Sequence, residues 1–296
     1  MAHTLKNNSL EIHIYLPEEG YNFSRFDWTG KITQVKFKNT PLSIAERTDM
    51  ANDTEFGKGF YNEFGIDSAL GFEETAIGGW FHKIGVGLLK KETDEYFFHK
   101  KHEIKPAEFK VDATPNKVEV ICSSKNVNGY AYVLKKTILL HESSFEINYF
   151  LENTGIKDIR TDEYVHNFMA INQESMGSDY VLKFPFQLKP GLFGETVNNE
   201  QKVVLGPNEI GFKGTPNEQF FFSNLSGGEN VEAAWELLHH KHKIGISETA
   251  SLKTNKVNLW GWKHVISPEL FIPIFIQSGE SKKWSRTYKV FNINCI

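Results

Sequence analysis

Leu10-Glu11-Ile12-His13-Ile14-Tyr15-Leu16 places apolar residues at every second position with polar ones between them. That is the pattern of a strand with one buried face and one wetted face. The same period of two returns at residues 32–37, 118–121, 131–140 and 145–151, then at 180–186, 203–205, 219–222 and 270–276. Turn-forming clusters such as Asn126-Val127-Asn128-Gly129 and Glu152-Asn153-Thr154-Gly155 separate the runs, since Asn and Gly tolerate the backbone angles that tight turns need. Residues 231–239 (VEAAWELLH), rich in Ala and Leu, are the best helix candidate, with strand as the alternative. Many short strands with turn signals predict an all-β chain of stacked antiparallel sheets. No repeat, linker or compositional break divides the chain, so one domain spanning residues 1–296 is expected. Residues 46–88, Gly-rich, acidic and irregular, are the exception and a candidate part of a binding site.

Composition narrows the function. Hydrophobic residues at 40% and charged residues at 24% are ordinary for a folded soluble protein. Lys and Arg number 33 against 37 Asp and Glu, so no basic excess exists to track a phosphate backbone, and no nucleic-acid partner is expected. Aromatic residues reach 14%; most serve strand packing, and some can form flat platforms for sugar rings. Arginine occurs only at Arg25, Arg47, Arg160 and Arg286, which argues against a substrate recognised by bidentate forks on phosphate or carboxylate. Cys122 and Cys295 make no disulfide framework, which suits a reducing compartment. The N-terminal MAHTLKNNSLEIHIYL lacks an apolar signal core, and no run approaches the roughly 18 apolar residues of a membrane span. A cytoplasmic protein without a membrane partner is expected.

Two segments carry the chemistry: Tyr164-Val165-His166-Asn167-Phe168 and Ser267-Pro268-Glu269-Leu270-Phe271. A histidine and a carboxylate can work as a proton-transfer pair, and burial in apolar, strand-forming sequence moves both pKa values toward neutrality. On a strand, Tyr164, His166 and Phe168 share a face, so the two rings can flank a sugar with the imidazole between them. The competing reading is a satisfied core histidine and a paired strand carboxylate. Arg25 and Asp27 flank Phe26 and, on a strand, also share a face, either pairing with each other or reaching a ligand. In Trp80-Phe81-His82-Lys83-Ile84-Gly85-Val86-Gly87, Lys83 or His82 can donate to hydroxyls, and the glycines allow close approach of backbone or ligand, but the spacing of a phosphate loop is absent. His240 and His242 would share one side of a strand, yet Lys241 intervenes and no third ligand is evident, so no metal is expected. His99 and His102, in the run HKKH, read as a solvated face.

Taken together, RFDWTG (25–30), HKIGVGLL (82–89), EYVHNF (163–168) and SPELF (267–271) resemble the aldose 1-epimerase, or galactose mutarotase-like, superfamily over nearly the whole chain. The resemblance implies a large antiparallel β-supersandwich. It also implies that His166 serves as general acid and Glu269 as general base, and that no metal or organic cofactor takes part. Lys83 stands where the family has a sugar-binding arginine, and the family's earlier histidine is matched only by His102, from chain order. The family's aspartate before the C-terminal Glu is missing from residues 258–264, where Trp262 and His264 are expected to supply a platform and donors. Asn167 and Phe168, within the histidine motif, complete the expected substrate contacts. The function implied is interconversion of the anomers of a free sugar, by a monomer or homodimer. The alternatives are glycoside cleavage by Glu269 with Glu63, Glu73 or Glu74, whose carboxyls would stand roughly 5–10 Å apart, and sugar binding without turnover.

Overall fold

The alternating runs do become strands. The computed structural model describes residues 2–49 and 54–293; Cys295 lies outside them. One ten-stranded antiparallel sheet orders its strands as His3–Lys6, Leu10–Tyr15, Lys31–Phe37, Phe60–Phe64, Ile159–Asn167, Val265–Ile276, Lys256–Trp262, Phe220–Phe222 and Thr196–Val197, with Thr40–Pro41 paired to the third. A second ten-stranded sheet packs against it. Its order is Val203–Leu205, Glu209–Phe212, Tyr180–Lys183, Ala234–His239, Ile244–Ala250, Ser281–Asn292, Ser144–Asn153, Tyr132–Leu140, Lys117–Ser123 and Glu108–Thr114. A small sheet of Trp80–Lys83, Gly87–Lys90 and Ile104–Pro106 stands beside them. Among the described residues there is no α-helix, and no helix is long and apolar enough to cross a membrane.

Residues 231–239 are not helical. Ala234–His239 is a strand between Tyr180–Lys183 and Ile244–Ala250, where the buried side chains of Trp235 and Leu237 outweigh the local helix preference of Ala and Leu. Inside the irregular stretch 46–88, Phe60–Phe64 forms a central strand whose five residues are all buried. A strand buried on both faces shows no alternation, which hides it from a period-two reading.

The middle of the first sheet positions the site. On Ile159–Asn167, Glu163 and Asn167 turn toward the second sheet, while Tyr164 and His166 turn outward. The inward face carries a charged core. Arg286, fully buried, donates from Nη2 to the Glu163 carboxylate at 2.8 Å and also bonds Glu248. Trp284 Nε1 caps Glu163 at 3.0 Å and Trp235 Nε1 caps Glu248 at 2.7 Å. Every charge in this cluster is paired and hydrogen-bonded, the condition under which buried ions are tolerated. It fixes the two sheets in register behind the outward-facing residues.

Candidate active site

The outward face of the first sheet forms the floor of a cleft of about 690 Å³, within the roughly 300–1,000 Å³ usual for ligand sites. Pleating decides who reaches it. Tyr164 and His166 come from one strand, Glu269 and Phe271 from the next, and Lys256, Asn258 and Trp260 from the third, each pair two residues apart.

The ladder that pairs Glu163 with Ile272 and Met169 with Ile266 sets His166 opposite Glu269. Their side chains meet: His166 Nε2 lies 3.3 Å from Glu269 Oε1, and Ser267 Oγ donates to the same oxygen at 3.4 Å. Both residues are buried. Burial, with the Arg25 charge nearby, holds the imidazole well below its ordinary pKa, away from neutrality and not toward it as expected from sequence, because burial disfavours the charged imidazolium. Burial also lifts the Glu269 carboxyl to about 8; Arg25 pulls it back and Glu63 adds to the rise. At neutral pH the resting pair is therefore a neutral imidazole against a protonated carboxyl, with one proton for two groups. His166 Nδ1 has no hydrogen-bond partner, so the tautomer is set on the Glu269 side of the ring.

Arg25 enters the cleft from a loop rather than a strand. Its Nε donates to Glu63 at 2.9 Å and its Nη2 to the Tyr164 hydroxyl at 3.1 Å, while the guanidinium lies over the rings of Phe26 and Phe98. Glu63 is fully buried. It accepts from Arg25, from the Tyr164 hydroxyl at 2.7 Å and from Lys83 Nζ at 3.0 Å.

Lys83 therefore does not meet the ligand space. Its ammonium is spent on Glu63, Gly65 O and the Tyr96 hydroxyl, and it is 1% exposed. Asp27 turns away from Arg25, bonds Thr29 and pairs with Lys136 at 3.1 Å; residues 25 and 27 lie outside any strand, where strand alternation does not apply. Asn167, on the opposite face of its strand from His166, donates to Glu248 and Pro268 O in the inter-sheet core. Phe168 stacks on the His166 ring at 4.0 Å and is fully buried beneath the cleft. Gly57 packs so close that a Cβ there would stand 2.3 Å from the Phe168 ring. Trp262 donates to Asn217 O, and His264 lies behind the cleft against Glu46 O; the aromatic face that the cleft receives from this strand is Trp260, 5.2 Å from His166.

The other histidines settle elsewhere. His102 is buried against Phe81 and Lys90 O, not solvated, while His99 is exposed at the cleft edge. His240 and His242 fall in the turn after Ala234–His239, so the strand argument for two ligands does not hold, and His242 bonds Glu174. Gly85 admits the Asp27 side chain, 2.5 Å from where a Cβ would sit, and not a ligand.

Glu46, Glu55 and Glu195 also line the cleft, with Phe23, Phe56 and Phe98. Only the irregularity of residues 46–88 hinted at Glu46, Glu55 and Phe56. Glu195 and Phe23 carry no local pattern that marks them.

No family model matches the chain, and no curated relative matches its sequence. Solved structures do match its fold along almost its full length. The Slr1438 protein of Synechocystis sp. PCC 6803 superposes with a TM-score of 0.64 at 12% identity, over 99% of this chain and 96% of that one. A galactose mutarotase related enzyme from Lactobacillus acidophilus gives 0.60 at 11% identity over 100% of both chains. A GalM/aldose epimerase homologue from C. elegans gives 0.57 at 11% identity, over 99% of this chain and 100% of that one. The chain has the galactose mutarotase-like fold, with sequence far diverged from these structures.

Proposed function

We propose that the chain is an aldose 1-epimerase acting on an uncharged reducing sugar. The observation that carries this reading is the His166–Glu269 contact at 3.3 Å on the floor of an aromatic cleft. Opening a cyclic hemiacetal needs one proton removed from O1 and one delivered to the ring oxygen. A pair holding a single shared proton supplies both functions at once.

In the reaction, the Glu269 proton first crosses to His166 Nε2. The carboxylate then takes the proton from O1 while the imidazolium gives its own to the ring oxygen. The C1–O5 bond breaks with its electron pair passing to O5, and C1=O1 forms. This returns the pair to its neutral resting form with the open-chain aldehyde bound. Rotation about C1–C2 and the reverse steps deliver the other anomer. Such acid–base assistance typically contributes about 10²–10⁴ in rate. Tyr164, Phe271 and Trp260 offer ring faces and edges to the sugar, and Arg25 offers its remaining N–H groups to hydroxyls.

The charges of the cleft favour an uncharged substrate. Glu46, Glu55, Asp67 and Glu195 line the cleft, while its two long cations are engaged, Arg25 by Glu63 and Lys256 by Asp67 at 2.6 Å. The glycoside-cleavage pairs lose their support: Glu63 is saturated beneath the cleft, and Glu73 and Glu74 line the adjoining groove and not the space around Glu269. One-dimensional exchange NMR of anomeric protons over a panel of free aldoses tests the proposal. Accelerated exchange lost in Glu269→Gln supports it, and no acceleration for any sugar contradicts it.

A further inference from the structure

The cleft does not end at Asp67. That residue also lines a second groove of about 810 Å³, which runs between residues 65–74 and 156–162. Lys256 marks the boundary. It lines the cleft, and its Nζ lies 2.6 Å from Asp67 and 3.7 Å from Asp162 in the groove. The two spaces share a wall rather than standing on separate faces.

The strand Ile159–Asn167 runs beneath both as a ruler. Asp162, Tyr164 and His166 alternate onto the same face, so Asp162 sits about 13 Å from His166, four residues at ~3.3 Å each. One pyranose ring seated at His166 and Glu269 is shorter than that span. A second or third ring, joined to the first, reaches it.

The far end has chemistry to offer such a ring. The Asp162 carboxyl is half-buried, and among the described residues its ionic partner is Lys256 at 3.7 Å. A half-buried carboxylate that still meets water can exchange that water for the hydroxyl of a sugar. Burial raises its pKa, against the pull of Lys256. Across the groove, Ile156 is 80% exposed, an apolar surface for the C–H face of a sugar beside polar groups for its hydroxyls.

We propose that the groove is an extension of the sugar site and that the substrate is a neutral reducing oligosaccharide, with its reducing end at His166–Glu269 and further units running past Asp67 to Asp162 and Ile156. The inference rests on the epimerase reading, which supplies the reducing-end chemistry.

The test compares kcat/KM for anomer exchange of glucose and galactose with that of maltose, cellobiose, lactose and maltotriose. At least one oligosaccharide is expected to exceed its own reducing-end monosaccharide tenfold or more. In Ile156→Asp, and separately in Asp162→Ala, that ratio falls toward one. Ile156 is so exposed that its replacement leaves the fold intact. Equal values for mono- and oligosaccharides, or a ratio unmoved by both variants, overturn the proposal. Calorimetric titration of the same sugars keeps the groove testable if no sugar is turned over. Tighter oligosaccharide binding that Ile156→Asp weakens then supports the groove while the epimerase reading fails, and equal affinities overturn the groove as well.

Discussion

Arg25 reaches the cleft because Glu63, a residue with no exposed surface, holds its Nε at 2.9 Å from beneath. The same carboxylate neutralises Lys83 at 3.0 Å and accepts from the Tyr164 hydroxyl at 2.7 Å. Glu63 is thus the keystone under two residues that line the cleft.

Replacing Glu63 with Gln should leave Lys83 as an uncompensated buried charge and cost about 3–5 kcal/mol of stability, the usual penalty for removing one partner of a buried pair. Urea denaturation measures it. Adding Lys83→Met should recover part of the loss, because the orphaned ammonium goes with it, while kcat/KM stays low because Arg25 is no longer held. A double variant as unstable as the single one would contradict this account of Lys83.

The pH profile follows from the shared proton. Activity requires the His166–Glu269 pair to hold one proton. Above about pH 8 the carboxyl gives it up and kcat/KM should fall. On the acid side, burial and Arg25 depress the imidazole, so the second limb should lie below the ordinary histidine range, near pH 6.5. Exchange rates between pH 4 and 10 check both limbs; activity still rising at about pH 9–10 would be the wrong sign.

The same shift weakens the fold. Native Glu269 keeps its proton up to about pH 8, whereas in the unfolded chain a glutamate loses it near ~4.3. Between those values the native state binds more protons than the unfolded state, so this group's contribution to stability declines as pH rises. Glu269→Gln should therefore be inactive yet more stable than the parent at pH 8, by about 1–3 kcal/mol, with the gap closing toward pH 4. Urea midpoints at the two pH values decide it.

Much of the site was readable from pattern and resemblance, and the failures have physical reasons. Strand alternation together with the two motifs pointed to His166 and Glu269, and the ladder places them opposite each other. Asn167 belongs to the motif, yet the same alternation that brings His166 to the cleft sends it to the far face. Asp27 and Lys83 leave the ligand space for another reason: their partners, Lys136 and Glu63, lie far away in sequence, where no local pattern shows them. Phe60–Phe64, buried on both sides, leaves no periodic trace, so the strand that carries Glu63 was not visible.

Asn167 gives a direct check of that correction. Asn167→Ala removes a donor from Glu248 and an acceptor from the Tyr288 hydroxyl, at about 1–3 kcal/mol for each buried group left unpaired. Stability should drop while KM for the sugar stays within about twofold, a difference worth only ~0.4 kcal/mol.

Sugar phosphates should be poor substrates. With carboxylates at the cleft and both cations engaged, kcat/KM for an aldose 6-phosphate should fall at least about tenfold below that of the parent aldose at low salt. The gap should narrow as ionic strength screens the exposed charges.

The measurement that bears most directly on the central claim is anomeric exchange NMR on the parent, His166→Ala and Glu269→Gln, with the sugar panel at chemical equilibrium. The account predicts accelerated α/β exchange by the parent for at least one neutral reducing sugar, and its loss in both variants while their folds persist. Full exchange activity in either variant would contradict it.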